Sequence, residues 1–195
     1  MLLRSLLSSY VGLAPEAWRF EANPWGRPHI ANPGSPGGLF FNLSHKPGFV
    51  TCLVGPGRDL GVDVEDLSAN RAHLFQIAER FFSPSEAAAL RALPAERQTQ
   101  RFYELWTLKE AYIKARGVGL SLGLSSFSFS VEGDRAQVRF DPGFDDDPGA
   151  WDFRLFRLCS PHLISTAVRR LEGRPPLIEM AADAAGIVAR ALAAS

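Results

Sequence analysis

The chain is short of several features that would narrow its function at once. Cysteine occurs twice, Cys52 in VTCLV and Cys159 in FRLCS, far apart and without CxxC spacing or a histidine-rich neighbourhood. That excludes a disulfide scaffold and a thiolate metal site, and both read as buried free thiols of a protein kept in a reducing cytoplasm. Neither sign of charge is in excess, with 21 Lys plus Arg against 21 Asp plus Glu. No overall basic field argues for nucleic acid, so any anion site must be assembled locally. No run of about 18 apolar residues occurs, and no membrane span is expected. The start, MLLRSLLSSYVGLAPEAW, sets Leu2, Leu3, Leu6, Leu7 and Tyr10 at helical spacing, an amphipathic first helix rather than a leader.

What is present is a globular composition, 46% hydrophobic and 22% charged over 195 residues. That is enough for one sizeable domain or two small halves sharing a core. FEANPWGRPHIANPGSPGG reads as loop. LFFNLSH, FVTCLVG and LGVDVED, at 39–45, 49–55 and 60–66, read as three strands of an antiparallel meander. Helical spacing covers about 70–82, Ser83-Pro84-Ser85-Glu86 opens a helix to about Leu93, and a third runs from about Glu96 to Arg116 and stops at Gly117. Strands follow near FSFSVE, AQVRF, DFRLFRL and LISTAVRR, with DPGFDDDPGA as an acidic solvent loop. The tail breaks at Pro175-Pro176 and continues as an Ala-rich helix. This order predicts an α+β chain made of two related halves.

In LGVDVED, a strand puts Asp63 and Glu65 on the face opposite Val62 and Val64. That face suits either a solvated edge or a metal site. In FYELWTLKEAYIKARG, Trp106, Glu110 and Lys114 share one helical face and Lys109 lies about 100° round from Glu110. A surface salt bridge beside a core tryptophan accounts for that spacing as well as a site does. Glu110 added to Asp63 and Glu65, however, makes an oxygen-only set suited to Mg²⁺, whose shell substrate phosphates would complete. Lys109 and Lys114 are placed to supply the further cations that a pyrophosphate needs.

The ordered series WGRPHI, FFNLSH, GVDVED, RFFSPSE and WTLKEAYIKARGVGLSL resembles the surfactin-type 4′-phosphopantetheinyl transferases over about Trp25 to Phe129. The resemblance implies a pseudo-two-fold pair of helix-plus-antiparallel-meander halves, with coenzyme A in the cleft and the halves joined near 57–61. Residues 1–59 would be an N-terminal half lacking its first strand, 60–171 a C-terminal half with the metal site, and 172–195 a helical tail. It implies Asp63, Glu65 and Glu110 as Mg²⁺ ligands, Lys109 and Lys114 on the coenzyme A pyrophosphate, and Ser44, His45 and Arg27 on the adenosine 3′-phosphate. The implied reaction transfers phosphopantetheine from coenzyme A to a serine of an acyl or peptidyl carrier protein and releases 3′,5′-ADP. Glu110 is the first choice of general base and Glu86 the second, a helix cap being the other reading of Glu86.

Members of that family carry a further stretch before the helix that Met1 opens here, with a first strand and basic residues for the 3′-phosphate. Its absence would expose a sheet edge, and losing two charge-assisted bonds would weaken coenzyme A binding roughly 10²–10⁴-fold. An active monomeric transferase is therefore weighed against a relative that binds coenzyme A or a carrier without turnover. A Mg²⁺ nuclease is a third possibility, disfavoured by the neutral charge. Phe75, Phe81, Phe82 and the loop 118–124 are the expected docking surface for a carrier.

Overall fold

The computed structural model describes residues 2–34, 36–68, 73–119, 122–159, 161–171, 177–183 and 186–192. It is an α+β fold of two principal sheets. The chain opens with α1 (Leu2–Ser8), whose buried Leu6 and Leu7 pack with Trp18, Leu39, Phe41, Cys52 and Val54. Trp18 Nε1 donates to Ser8 Oγ at 2.9 Å, giving the buried indole its polar partner. The segment expected to be all loop holds a short antiparallel ribbon, β1 (Phe20–Ala22) with β2 (Pro28–Ile30). Its Pro, Gly and Asn residues mark the turn between the strands rather than an absence of strands.

Next come β3 (Phe40–Lys46), β4 (Phe49–Gly55) and β5 (Leu60–Asp66). β3 and β4 pair antiparallel as expected, but β5 does not complete their meander. It pairs instead with β9 (His162–Arg169), at the edge of a five-stranded sheet in the order β5-β9-β8-β7-β6. The other members are β6 (Phe127–Glu132), β7 (Arg135–Phe140) and β8 (Trp151–Cys159). Where backbone pairing between β3 and β5 is missing, side chains replace it. Asn42 Oδ1 accepts from the Val62 amide at 2.9 Å and Ser44 Oγ from the Val64 amide at 3.3 Å. Leu53 from one sheet packs against Leu60, Val62, Val64, Ile164 and Val168 from the other.

Three helices cover the larger sheet: α2 (Leu74–Phe81), α3 (Pro84–Ala92) and α4 (Ala95–Arg116). The expected start of α2 near residue 70 falls outside the described residues. α3 opens with a capping box between Ser83 and Glu86, and α4 ends at Gly117 with φ 67°, a left-handed cap that suits glycine. Gly61 decides how closely α4 sits on β5. A Cβ there would lie 2.1 Å from the Ala111 carbonyl oxygen and 2.5 Å from the Ala115 nitrogen. Only a bare backbone permits that approach, and it brings the last turns of α4 over Asp63.

The expected helical tail is replaced by strands β10 (Leu177–Asp183) and β11 (Gly186–Leu192), with 172–176 outside the described residues. They form a hairpin, and β11 runs parallel to β4 in the sheet order β10-β11-β4-β3. Alanine's helix propensity is a weak bias, and the pairing groups along the β4 edge outweigh it. The β4 edge carries β11, and β3 stands at the edge of that sheet. Among the described residues, no helix is long and apolar enough to cross a membrane.

Candidate active site

A cavity of about 430 Å³ opens where β3, β5 and α4 meet. Asp63 and Glu65 reach it from β5, Trp106, Glu110 and Lys114 from α4, and Ser44, His45 and Lys46 from β3. Period two on the strands and spacing by four on the helix aim these groups at one volume. Ser44 Oγ donates to Asp63 Oδ1 at 2.9 Å, and Lys114 Nζ donates to the same oxygen at 2.6 Å and to Ser44 Oγ at 2.9 Å. Lys46 Nζ pairs with Glu65 at 2.7 Å. Asp63 and Glu65 are buried, Glu110 and Lys114 are half-buried, and His45 is exposed at the rim.

Three carboxylates thus face two lysines, one negative charge in excess. Glu110 registers this: burial and then the charge of Asp63, with Glu65 adding, hold its carboxyl above the ordinary glutamate range, while Lys114 and Lys46 oppose the rise. Among the described residues, no three His, Cys, Asp or Glu side chains are already drawn together as a metal shell. Lys114 and Lys46 hold two of the three carboxylates instead.

Three residues expected at the site lie elsewhere. Lys109 has no exposed surface; its amine donates to Leu124 O at 2.8 Å and Phe127 O at 2.6 Å, pairs with Glu86 at 2.8 Å and lies 4.4 Å from the centre of the Phe127 ring. Burial pulls its pKa below the ordinary lysine range against the pull of Glu86. At about 100° from Glu110 it points through the helix into the core, so it cannot meet a pyrophosphate in the cavity. Glu86 is the cap and the counter-ion of this arrangement. Its Oε2 accepts from the Ser83 amide at 3.0 Å and its Oε1 from the Phe129 amide at 2.8 Å. Glu86 does not line the cavity and so is not placed for general-base work there. Arg27 donates to Ala115 O at 2.7 Å, Leu60 O at 3.0 Å and Arg58 O at 3.1 Å. It neutralises the carbonyl end of α4, the electronegative pole of the helix, rather than facing Ser44 and His45. It also borders a second cavity of about 260 Å³ that shares Leu43 and Lys114 with the first.

Lys46 lines the first cavity and Asn42 the second, on a signal present in the strand period. Both alternate with Ser44 on β3, so the strand that presents Ser44 to β5 presents them too. Of the expected docking phenylalanines, Phe82 is 2% exposed and belongs to the core, and Phe75 and Phe81 pack partly against it. Residues 120 and 121 of the expected docking loop lie outside the described residues. Cys52 is a buried free thiol, whereas the side chain of Cys159 is not described.

Comparison with known proteins bears on the same segments. The chain matches the model of the 4′-phosphopantetheinyl transferase superfamily over residues 59–167. It is 39% identical over 120 residues to a 4′-phosphopantetheinyl transferase of Nostoc, covering 62% of this chain and 50% of that one. A Bacillus subtilis 4′-phosphopantetheinyl transferase is 38% identical over 134 residues, 69% and 57% of the two chains. A Thraustochytrium phosphopantetheinyl transferase is 31% identical over 181 residues, 86% and 61%. The chain spans about half the length of the curated relatives it matches. The family match takes in β5 and the whole of α4, the elements that carry every acidic group of the cavity, and on that footing the chain belongs to the 4′-phosphopantetheinyl transferase superfamily.

Proposed function

We propose that this chain carries out the Mg²⁺-dependent transfer of 4′-phosphopantetheine from coenzyme A to a serine of an acyl or peptidyl carrier protein, releasing 3′,5′-ADP. The observation that carries the reading is the cavity of three carboxylates and two lysines, built on elements within or beside the family match. The donor set fits Mg²⁺: it is oxygen-only, and its excess negative charge is felt at Glu110. Asp63, Glu65 and Glu110 would hold the ion. When bound, it supplies Lewis-acid polarisation of the pyrophosphate and offsets charge on the leaving oxygen.

The remaining chemistry belongs to the chain's own residues. Lys114, paired now with Asp63, is half-buried and borders both cavities, so its amine can turn from the carboxylate to a phosphate oxygen. Lys46 does the same from the β3 side. His45, exposed at the rim, offers a hydrogen-bond donor to the 3′-phosphate without Arg27, and Ser44 joins it only by turning its hydroxyl proton from Asp63. Glu110 lines the cavity beside Asp63 and is the group placed to take the proton of the carrier serine. The serine oxygen then bonds to the pantetheine-side phosphorus as the bond from that phosphorus to the 3′,5′-ADP oxygen breaks. Coenzyme A, a carrier protein and the free thiol of Cys52 all suit the cytoplasm, and a chain that holds two related halves, as the resemblance implies, would need no second copy.

The test is direct. The folded chain with Mg²⁺, fluorescent coenzyme A and an apo carrier domain should give labelled carrier, and chelation or Asp63→Ala should stop it. Coenzyme A binding without label at saturation would replace transfer by the binding-only reading.

A further inference from the structure

The register of β5 on β9 sets Asp63 directly opposite Ser165. Directly opposed residues of an antiparallel pair project to the same face with Cβ atoms about 4.5–5.5 Å apart. This face is the one that α4 covers, since Gly61 on it meets the backbone of Ala111 and Ala115. Asp63 Oδ1 is held by Ser44 and Lys114 from the cavity side. Asp63 Oδ2 is buried and has no hydrogen-bond partner among the described residues, and the same is true of the Ser165 hydroxyl, whose residue has no exposed surface. A buried acceptor and a buried donor, each without a partner and in register under one helix, are a pair that one side-chain rotation can join.

We propose that Ser165 is a positioning residue for Asp63: its hydroxyl turns to donate to Oδ2 and fixes the plane of the carboxylate. Oδ1 then stays aimed into the cavity when the Lys114 amine leaves it for a phosphate. The inference rests on Asp63 being a ligand of the proposed Mg²⁺ site. The chain carries its own control in Thr166, the next residue of β9. Thr166 is also fully buried with an unpartnered hydroxyl, but it stands opposite Val62, on the other face of the strand. Loss of a buried hydroxyl as such would act alike at both positions, whereas positioning of Asp63 acts only at Ser165.

The experiment titrates Mn²⁺ into the 195-residue chain, with binding followed by electron paramagnetic resonance and folding by thermal melting. Ser165→Ala should weaken Mn²⁺ binding about tenfold, the scale on which groups behind a metal ligand act. Thr166→Ala should bind as wild type at a comparable melting temperature, and Ser165→Thr should restore affinity. Equal affinity of wild type and Ser165→Ala, or equal weakening by Thr166→Ala, overturns the proposal. Asp63→Asn separates the two levels. If it binds Mn²⁺ like wild type, the metal-site reading fails and the positioning role falls with it; if it alone loses Mn²⁺, only the role of Ser165 fails.

Discussion

Helix α4 carries two lysine–carboxylate pairs of nearly the same length and opposite character. Lys109 meets Glu86 at 2.8 Å with side-chain exposures of 0% and 4%, and Lys114 meets Asp63 at 2.6 Å with exposures of 28% and 8%. The first pair is closed off by carbonyls and aromatic rings, and each of its partners already has its other bonds. The second opens on a cavity with two further carboxylates and a second lysine. Burial alone therefore does not mark the working pair. In the proposed function the working pair is the one whose cation can leave, beside Glu110, whose charged form burial and the neighbouring carboxylates already disfavour.

Substitutions should pull the two pairs apart. The largest effect is expected from Asp63→Ala, which should cost on the order of 10³-fold in transfer rate, measured by carrier labelling, with little change in melting temperature. Lys109→Ala should do the reverse. It leaves Glu86 buried and uncompensated at about 3–5 kcal/mol, which calorimetry should show as a melting temperature lower by about 10 °C. Lys114→Ala should leave stability within about 1 kcal/mol, because its pair is partly exposed, and weaken coenzyme A binding about 10- to 100-fold by titration calorimetry. Gly61→Ala should cost about 1–3 kcal/mol and raise the KM for coenzyme A, since α4 has to lift away from Asp63.

The smallest effect concerns Cys52, far from either pair. Burial pushes its thiol up to about 12. A native pKa above the unfolded value of about 8.5 means that its contribution is complete below that pH and is lost as pH rises beyond it. Wild type should thus lose stability relative to Cys52→Ala between about pH 8.5 and 10, in parallel melts. Native Cys52 should also resist iodoacetamide at pH 8.

The sequence made Asp63, Glu65, Glu110 and Lys114 legible because a strand and a helix impose fixed local periods, and the family motifs named the same positions. The α3 cap and the Gly117 stop were legible for the same reason. What it could not convey was non-local. Lys109 and Lys114 differ by 500° of helical rotation, and only the position of the sheet under α4 decides which of them is sealed. By local pattern β5 is the third strand of a meander, yet its partner is β9, about a hundred residues further on. Arg27 is drawn to the carbonyl end of α4, a partner close in space and remote in sequence. The Ala-rich tail followed a propensity that the β4 edge overrode.

Two double variants test the assignment of the working pair most directly, compared for transfer of phosphopantetheine to an apo carrier by mass spectrometry. Glu86→Gln with Lys109→Met exchanges the sealed pair for groups of similar volume, a change often tolerated in a core. Asp63→Asn with Lys114→Met does the same to the cavity pair. The predicted result is transfer retained by the first and absent from the second, both being folded by circular dichroism. Transfer lost from a folded Glu86/Lys109 variant, or kept by the Asp63/Lys114 variant, would contradict it.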